Sequence, residues 1–265
     1  GSGEVHAQAT GHDHDHGHGH TSAPGTPPPE LALSEETREM ASRLIVQDFR
    51  GRMKPLDTLA RETVMKVTKS SSFEGRHPID VFLGFAVFPE PWYDYPTIVV
   101  KNPGVKEILG VSESTEYVSI GSLLTDRGYK LQGQTEAAHR TPPNQRDKTT
   151  QRLISFDERV HILYSALQGT SLRIFPVPDD PKDKWEGIQT VLQSLGEDDP
   201  RHAEFQAAAD DLFLGLQAHD SARIREGLRQ TAALQQKYGA EVMPEEFRVD
   251  AELQLNRLHP FEWST

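Results

Sequence analysis

The sequence contains no cysteine. That absence excludes disulfides, thiolate metal sites, iron–sulfur clusters and cysteine nucleophiles together. A cysteine-free chain suits an oxidising compartment, because it forms no mixed disulfides, and it suits many cytosolic proteins equally, so the compartment stays open. Long apolar runs are also missing. The longest extends from Val81 to Phe88, far short of the ~20 residues that span a bilayer. The first residues are polar and small, without the apolar stretch of a secretory signal. Positive charge is scarce: Lys plus Arg number 28 against 40 Asp plus Glu, for a formal net charge of -12. Generic nucleic-acid binding needs clustered cations, so that class is excluded. Catalytic signatures are absent as well. There is no nucleophile elbow, Walker A loop, G-x-G-x-x-G or H-E-x-x-H. Asp157-Glu158 is expected at the start of a helix, where acids complement the dipole, and His161, flanked by apolar residues, reads as a core or boundary histidine. No catalytic residue is assigned.

What is present is enough to fold. A chain of 265 residues forms one large domain or two small ones and buries roughly 70% of its unfolded surface. Residues 1–33 stand apart. They hold His12, His14, His16, His18 and His20 in alternation with Gly and Asp, then Pro27-Pro28-Pro29, and no Lys or Arg. Such a segment is expected to be a disordered tail. Its imidazoles can hold Zn or Ni weakly and without selectivity.

Order is expected from Ser34. Ser34-Glu35-Glu36 caps a helix to about Arg43, Arg50-Gly51 tips a hairpin, and Asp57-Thr58 opens an amphipathic helix carrying Leu59, Val64 and Val67. An apolar helix follows from His77 to about Phe88, with Pro89 as its stop. Trp92–Tyr95 reads as an aromatic loop, 97–100 and 116–120 as strands, and Pro103–Leu109 as a helix closed by Gly110. The polar stretch 126–150 is expected to be a loop or internal linker. Helical spacing resumes at about Arg152 and ends at Gly169, a short strand covers Leu172–Pro176, and Pro178–Pro181 turns. Apolar positions then recur at helical spacing through 185–195, 205–216, 224–234 and 249–258. The fold class is therefore α+β and predominantly helical. A small hairpin and short strands lie in the N-terminal half, with a helical hairpin or small bundle in the C-terminal half.

One basic stretch stands out. In an extended arm, Arg50, Arg52 and Lys54 share a face, forming a docking face for carboxylates or an acidic partner; the alternative is a solvated rim paired with Asp48 and Asp57. Trp92–Tyr95 and Leu172–Pro176 are expected to serve the core.

These segments carry a resemblance. Residues 44–61, LIVQDFRGRMKPLDTLAR, resemble the "VQD–GR–KPLDTLARE" opening of an extracytoplasmic domain in cytochrome c biogenesis membrane proteins of the CcsA/ResC type, often fused to a ResB-like part in the system II pathway. In the same order, Lys69–Phe73 is similar to the family's "KSSF", Phe88–Trp92 to "NPEYW", and Val105–Gly110 to "ELRELLG". Phe156–Val160 and Leu172–Val177 resemble "DERVNILY…LRIFPLP", Lys237–Pro244 a "KYG…MP" break, and Glu252–Phe261 "AELLYNRLNPF". The resemblance implies an accessory domain on the periplasmic side of the bacterial inner membrane, tethered by native flanking segments. It implies apocytochrome c and other assembly subunits as partners, with haem handled by the parent protein. The family's Trp-rich haem signature has no counterpart, so no haem-ligating residue carries over and no cofactor is assigned to this fragment. In that family "YNRLNPF" precedes a transmembrane helix, so Thr265 is expected not to be the native terminus. Two alternatives belong to other classes: a periplasmic metal-binding module using the His-rich tail, and a structural spacer.

Overall fold

The computed structural model describes residues 26–258. Helix α1 (Glu35–Arg43) begins where capping places it: the Ser34 hydroxyl accepts from Thr37 N, and Glu35 and Glu36 occupy the first turn. Strands β1 (Ile45–Gln47) and β2 (Met53–Pro55) form the expected hairpin. Its tip, Phe49-Arg50-Gly51, closes as a three-residue loop. Gly51 supplies the positive φ of 80° that the last loop position requires, and Asp48 N donates to Arg52 O. Ile45 faces Pro55 in this ladder. That pair lies between the hydrogen-bonded ones, so the proline forfeits no bond to β1.

Helix α2 (Leu56–Thr68) follows directly and packs against α1, α3 (Pro78–Val87), α7 (Lys148–Leu167) and α11 (Glu246–Leu258). α3 is buried almost all round, as its uninterrupted apolar run requires. Pro89 ends it and, at the first helical position, starts the short α4 (Pro89–Asp94). The aromatic loop expected at Trp92–Tyr95 is therefore mostly helical, with Trp92 fully buried beside Phe73 and Phe85. β3 (Ile98–Val99) pairs antiparallel with β4 (Tyr117–Val118) across α5 (Pro103–Leu109), which Asn102 caps and Gly110 closes.

The stretch 126–150 is more structured than the linker expected there. β5 (Leu124–Thr125) and β6 (Gly128–Tyr129) form a hairpin, and α6 (Gln132–Arg140) packs along α7. Leu131, Thr135 and Ala138 supply the buried stripe, too sparse and too weakly apolar to register as a period in the sequence. β7 (Phe175–Pro176) pairs with β8 (Trp185–Glu186), and α8 (Ile188–Leu195) begins after Gly187. Trp185, expected to open a helix, lies in a strand because its backbone N donates to Gln47 Oε1, joining β8 to β1. α9 (Pro200–Ala218) and α10 (Ser221–Gly239) form the expected helical hairpin, capped by Asp199 and Asp220. The structure is thus helical α+β: eleven helices and four two-stranded sheets among the described residues.

The tail expected at 1–33 begins to pack before Ser34. Leu31 and Leu33 are buried, and Pro28 O accepts from Arg76 Nη1. Two apolar side chains on either side of Ala32, whose φ of 46° bends the chain, are enough to seat it. The expectation for residues 1–25 lies outside the described residues.

His77 caps α3 in a way that makes this region sensitive to acid. Its Nδ1 accepts from Ile79 N, which only the neutral ring can do. Burial first, then the guanidinium charges of Arg38 and Arg61, hold its pKa below the usual histidine value. The unfolded chain therefore takes up the proton more readily than the folded one. The stabilisation is complete above the unfolded value and is lost as pH falls below about 6.5. The thermal midpoint of the wild-type protein should fall between about pH 7 and 5 more steeply than that of His77→Asn, which keeps a capping oxygen. Identical slopes for the two proteins would exclude this origin.

Candidate functional site

The three cations expected to share a docking face are separated by the hairpin. Lys54 is buried, and its Nζ lies 3.0 Å from Asp48 Oδ2 and 2.8 Å from Glu62 Oε2. It is a structural ion pair inside the hairpin base and is removed from the candidate face. Two causes separate the three: Arg50 belongs to the turn and not to a straight arm, and Lys54 is drawn inward by Asp48 and Glu62. Asp48 organises that turn by accepting from the backbone N of Arg50 and of Arg52. These bonds, with Lys54, overcome the opposing effect of burial and hold the carboxyl below the usual aspartate range. At the tip Arg50 is exposed and Phe49 is 68% exposed, with the Arg173 guanidinium 5.8 Å from its ring centroid. Arg52 reaches α11, where Nη2 donates to Glu252 Oε1 at 3.2 Å. Behind it Thr58 donates to the same Glu252 oxygen, and Asn256 Nδ2 donates to Asp57 and Thr58. The exposed tip is thus held on a rigid base formed by α2 and α11.

A second grouping was hidden in the stretch expected to be a linker. α6 and α7 enclose an open cavity of about 720 Å³, lined by Tyr129, Gln132, Glu136, His139, Asp157 and His161 among others. Asp157 is buried at its wall. Tyr129 donates its hydroxyl to Oδ1 at 3.0 Å, and His139 Nε2 lies 3.2 Å from Oδ2. His161 Nδ1 lies 2.9 Å from the Asp157 carbonyl, one helical turn back. Burial, reinforced by the adjacent carboxylate, raises the Tyr129 pKa far above the phenolic range, so its hydroxyl stays protonated and donates to Asp157. The carboxylate and carbonyl oxygens can only accept, so His139 donates through Nε2 and His161 through Nδ1. Both rings are largely exposed, with side chains 53% and 70% accessible. The site therefore sets two exposed imidazoles over a buried carboxylate. Among the described residues no three His, Cys, Asp or Glu side chains are grouped to hold a metal ion.

Sequence reasoning missed this grouping for a definable reason. α7 starts at Lys148 under an Asp147 cap, earlier than expected, so Asp157 lies mid-helix and the helix-dipole account of it does not hold. Asp157 and His161 at i and i+4, facing Glu136 and His139 at i and i+3, are the signal the sequence carries. The histidines from His12 to His20 lie outside the described residues.

No family model matches this sequence. A curated relative, however, does. The chain is similar to Protein NrfI of Wolinella succinogenes. The two are 33% identical over 228 residues, which is 86% of this chain and 25% of NrfI. The chain therefore spans about a quarter of NrfI's length. An alignment covering that share of the chain cannot be confined to one motif or one half of the fold, so the similarity to NrfI belongs to the architecture as a whole.

Proposed function

We propose that this chain is an extracytoplasmic domain of a cytochrome c maturation membrane protein of the CcsA/ResC, ResB-fused type. In this reading it docks apocytochrome or a partner subunit through the tip of the β1–β2 hairpin. The observation that carries the assignment is the similarity to NrfI across 86% of the chain, taken with the collinear motifs of the cytochrome c biogenesis family. The domain would lie on the periplasmic side of the inner membrane, tethered by flanking segments, with haem as cargo of the parent protein. His12, His14, His16, His18 and His20 would hold Zn or Ni weakly at most. The tip supports docking by its chemistry: an exposed Phe49 flanked by Arg50 and Arg52, held on the buried network of Asp57, Thr58 and Asn256.

The test is Arg50→Ser with Arg52→Ser in the full-length parent. Lys54 is left intact, because removing it would strand Asp48 and Glu62. Cytochrome c yield should drop severalfold. Apocytochrome binding in vitro should weaken with added salt in the wild type and lose that salt dependence in the variant, since exposed charges are screened within roughly 8 Å at physiological ionic strength. The fold should persist. Unchanged yield and unchanged binding would overturn docking at this tip.

A further inference from the structure

The protein is strongly acidic, yet one surface collects four cations around a single acid. Lys66 and Lys69 stand at the C-terminal end of α2, and Arg152 and Arg159 lie seven residues apart on α7, which packs against α2. Seven residues of helix advance about 10 Å, so these groups spread across a surface. Glu158 is the acid within this group, and it pairs with Lys66 at 3.1 Å. The neighbouring acids on the α2 side are engaged elsewhere: Glu62 with Lys54, and Glu74 with the Tyr95 hydroxyl. Among the described residues neither Lys69 nor Arg152 makes an ion pair. Arg159 is half-buried, and its Nη1 donates to Val99 O at 3.2 Å, which fixes the guanidinium in place.

The crowding registers in the titration of two of these groups. Partial desolvation and then the charges of Arg159, Lys66 and Arg152 hold Lys69 below the ordinary lysine value, although its side chain reaches the surface. Arg159 is lowered by burial and by Arg152. Like charges held together at one place, in a chain with an excess of twelve negative charges, disfavour the isolated protein and are relieved by an external anion.

We propose that Lys66, Lys69, Arg152 and Arg159 form a docking surface for an anionic phospholipid layer. A small anion would need a concave site, and none of the four lines the cavity between α6 and α7. Cations spread over two helices match instead an extended surface bearing many single charges, and each such cation near an anionic leaflet is worth about a fivefold gain in binding. The inference rests on the reading above only for placing a membrane at hand. It concerns a face distinct from the hairpin tip.

Co-sedimentation of the full chain with vesicles tests it. At low ionic strength the protein should bind mixed phosphatidylglycerol–phosphatidylcholine vesicles and not pure phosphatidylcholine. Lys69→Ser with Arg152→Ser should lower the partition coefficient about 25-fold. The charge-conserving pair Lys69→Arg with Arg152→Lys should bind like the wild type, as should Arg50→Ser with Arg52→Ser. Circular dichroism verifies that each variant is folded. Failure to bind the anionic vesicles, or full binding by the Lys69 and Arg152 double serine variant, would overturn the proposal. So would binding of a polyglutamate peptide, lost in that variant, without vesicle binding, which would point to an acidic protein. None of these outcomes bears on cytochrome c yield, so this inference and the maturation assignment fail separately.

Discussion

Gly227→Ala should lower stability by about 3 kcal/mol, and the thermal midpoint by roughly 6–12 °C. A Cβ at Gly227 would lie 2.2 Å from Leu212 N and 2.5 Å from Leu212 Cα. Ordinary contact between such atoms needs about 3.5–4 Å. The obstacle is the backbone of α9, which no rotamer change can move. Gly215 on α9 approaches α10 reciprocally: a Cβ there would lie 2.9 Å from Ile224 N. The two glycines let the helices pack backbone to backbone, with Phe205, Leu212, Leu216, Ile224 and Leu228 sealed between them and the remaining core. Alanine would separate the pair along its length, and its better helix propensity, worth about 1 kcal/mol, is too small to compensate. Gly133 supplies the contrast. It lies exposed in α6 with nothing near its Cβ position, so Gly133→Ala should stabilise by about 0.5–1 kcal/mol. Denaturant unfolding of both variants checks the argument. A Gly227→Ala protein within about 0.5 kcal/mol of wild type would mean that α9 and α10 relax freely.

Gln235→Leu should cost about 3–5 kcal/mol although it preserves bulk. The Gln235 amide is buried in α10. Its Oε1 accepts from Ile45 N at 3.1 Å, and its Nε2 donates to Ile45 O and Ile174 O, both at 2.8 Å. Ile45 sits at a position where β1 turns its backbone groups away from β2, so this amide satisfies the free edge of the strand. Leucine would leave one backbone N–H and two carbonyls buried without partners. Because Gln235 links β1 in the N-terminal half to α10 in the C-terminal half, the loss should appear in one cooperative transition. Separate transitions for the two halves, or a loss under about 1 kcal/mol, would show that other groups supply these partners.

Much of this architecture was legible in the sequence, and the exceptions share a cause. Caps and stops work locally, so Ser34 and Gly110 mark their helix ends correctly. The amphipathic stripes of α2 and α10 announce themselves by period. Side chains whose roles depend on distant partners were read less well. Lys54 looks like a free cation until β2 brings it against Asp48 and α2 brings it against Glu62. Trp185 looks like the start of a helix until β1 offers Gln47. The grouping around Asp157 joins residues from β6, α6 and α7, and it could be read only once α6 was known to exist. Gly215 and Gly227 carry no sequence signal beyond being glycines inside helical patterns, where their usual effect is to weaken the assignment.

The first and last helices of the described chain lie side by side. Arg43 on α1 pairs with Asp250 on α11 at 2.7 Å, and Arg257 pairs with Glu39. A longer polypeptide that carries this unit can therefore leave its host structure and return close to the point of departure. A unit inserted at a single position through these two helices would add mass and surface without prising its neighbours apart. The same adjacency favours circular permutation, in which new termini are opened at an exposed turn such as Asp126-Arg127 and α11 is joined through a linker to the segment that leads into α1, keeping Leu31 and Leu33 in place.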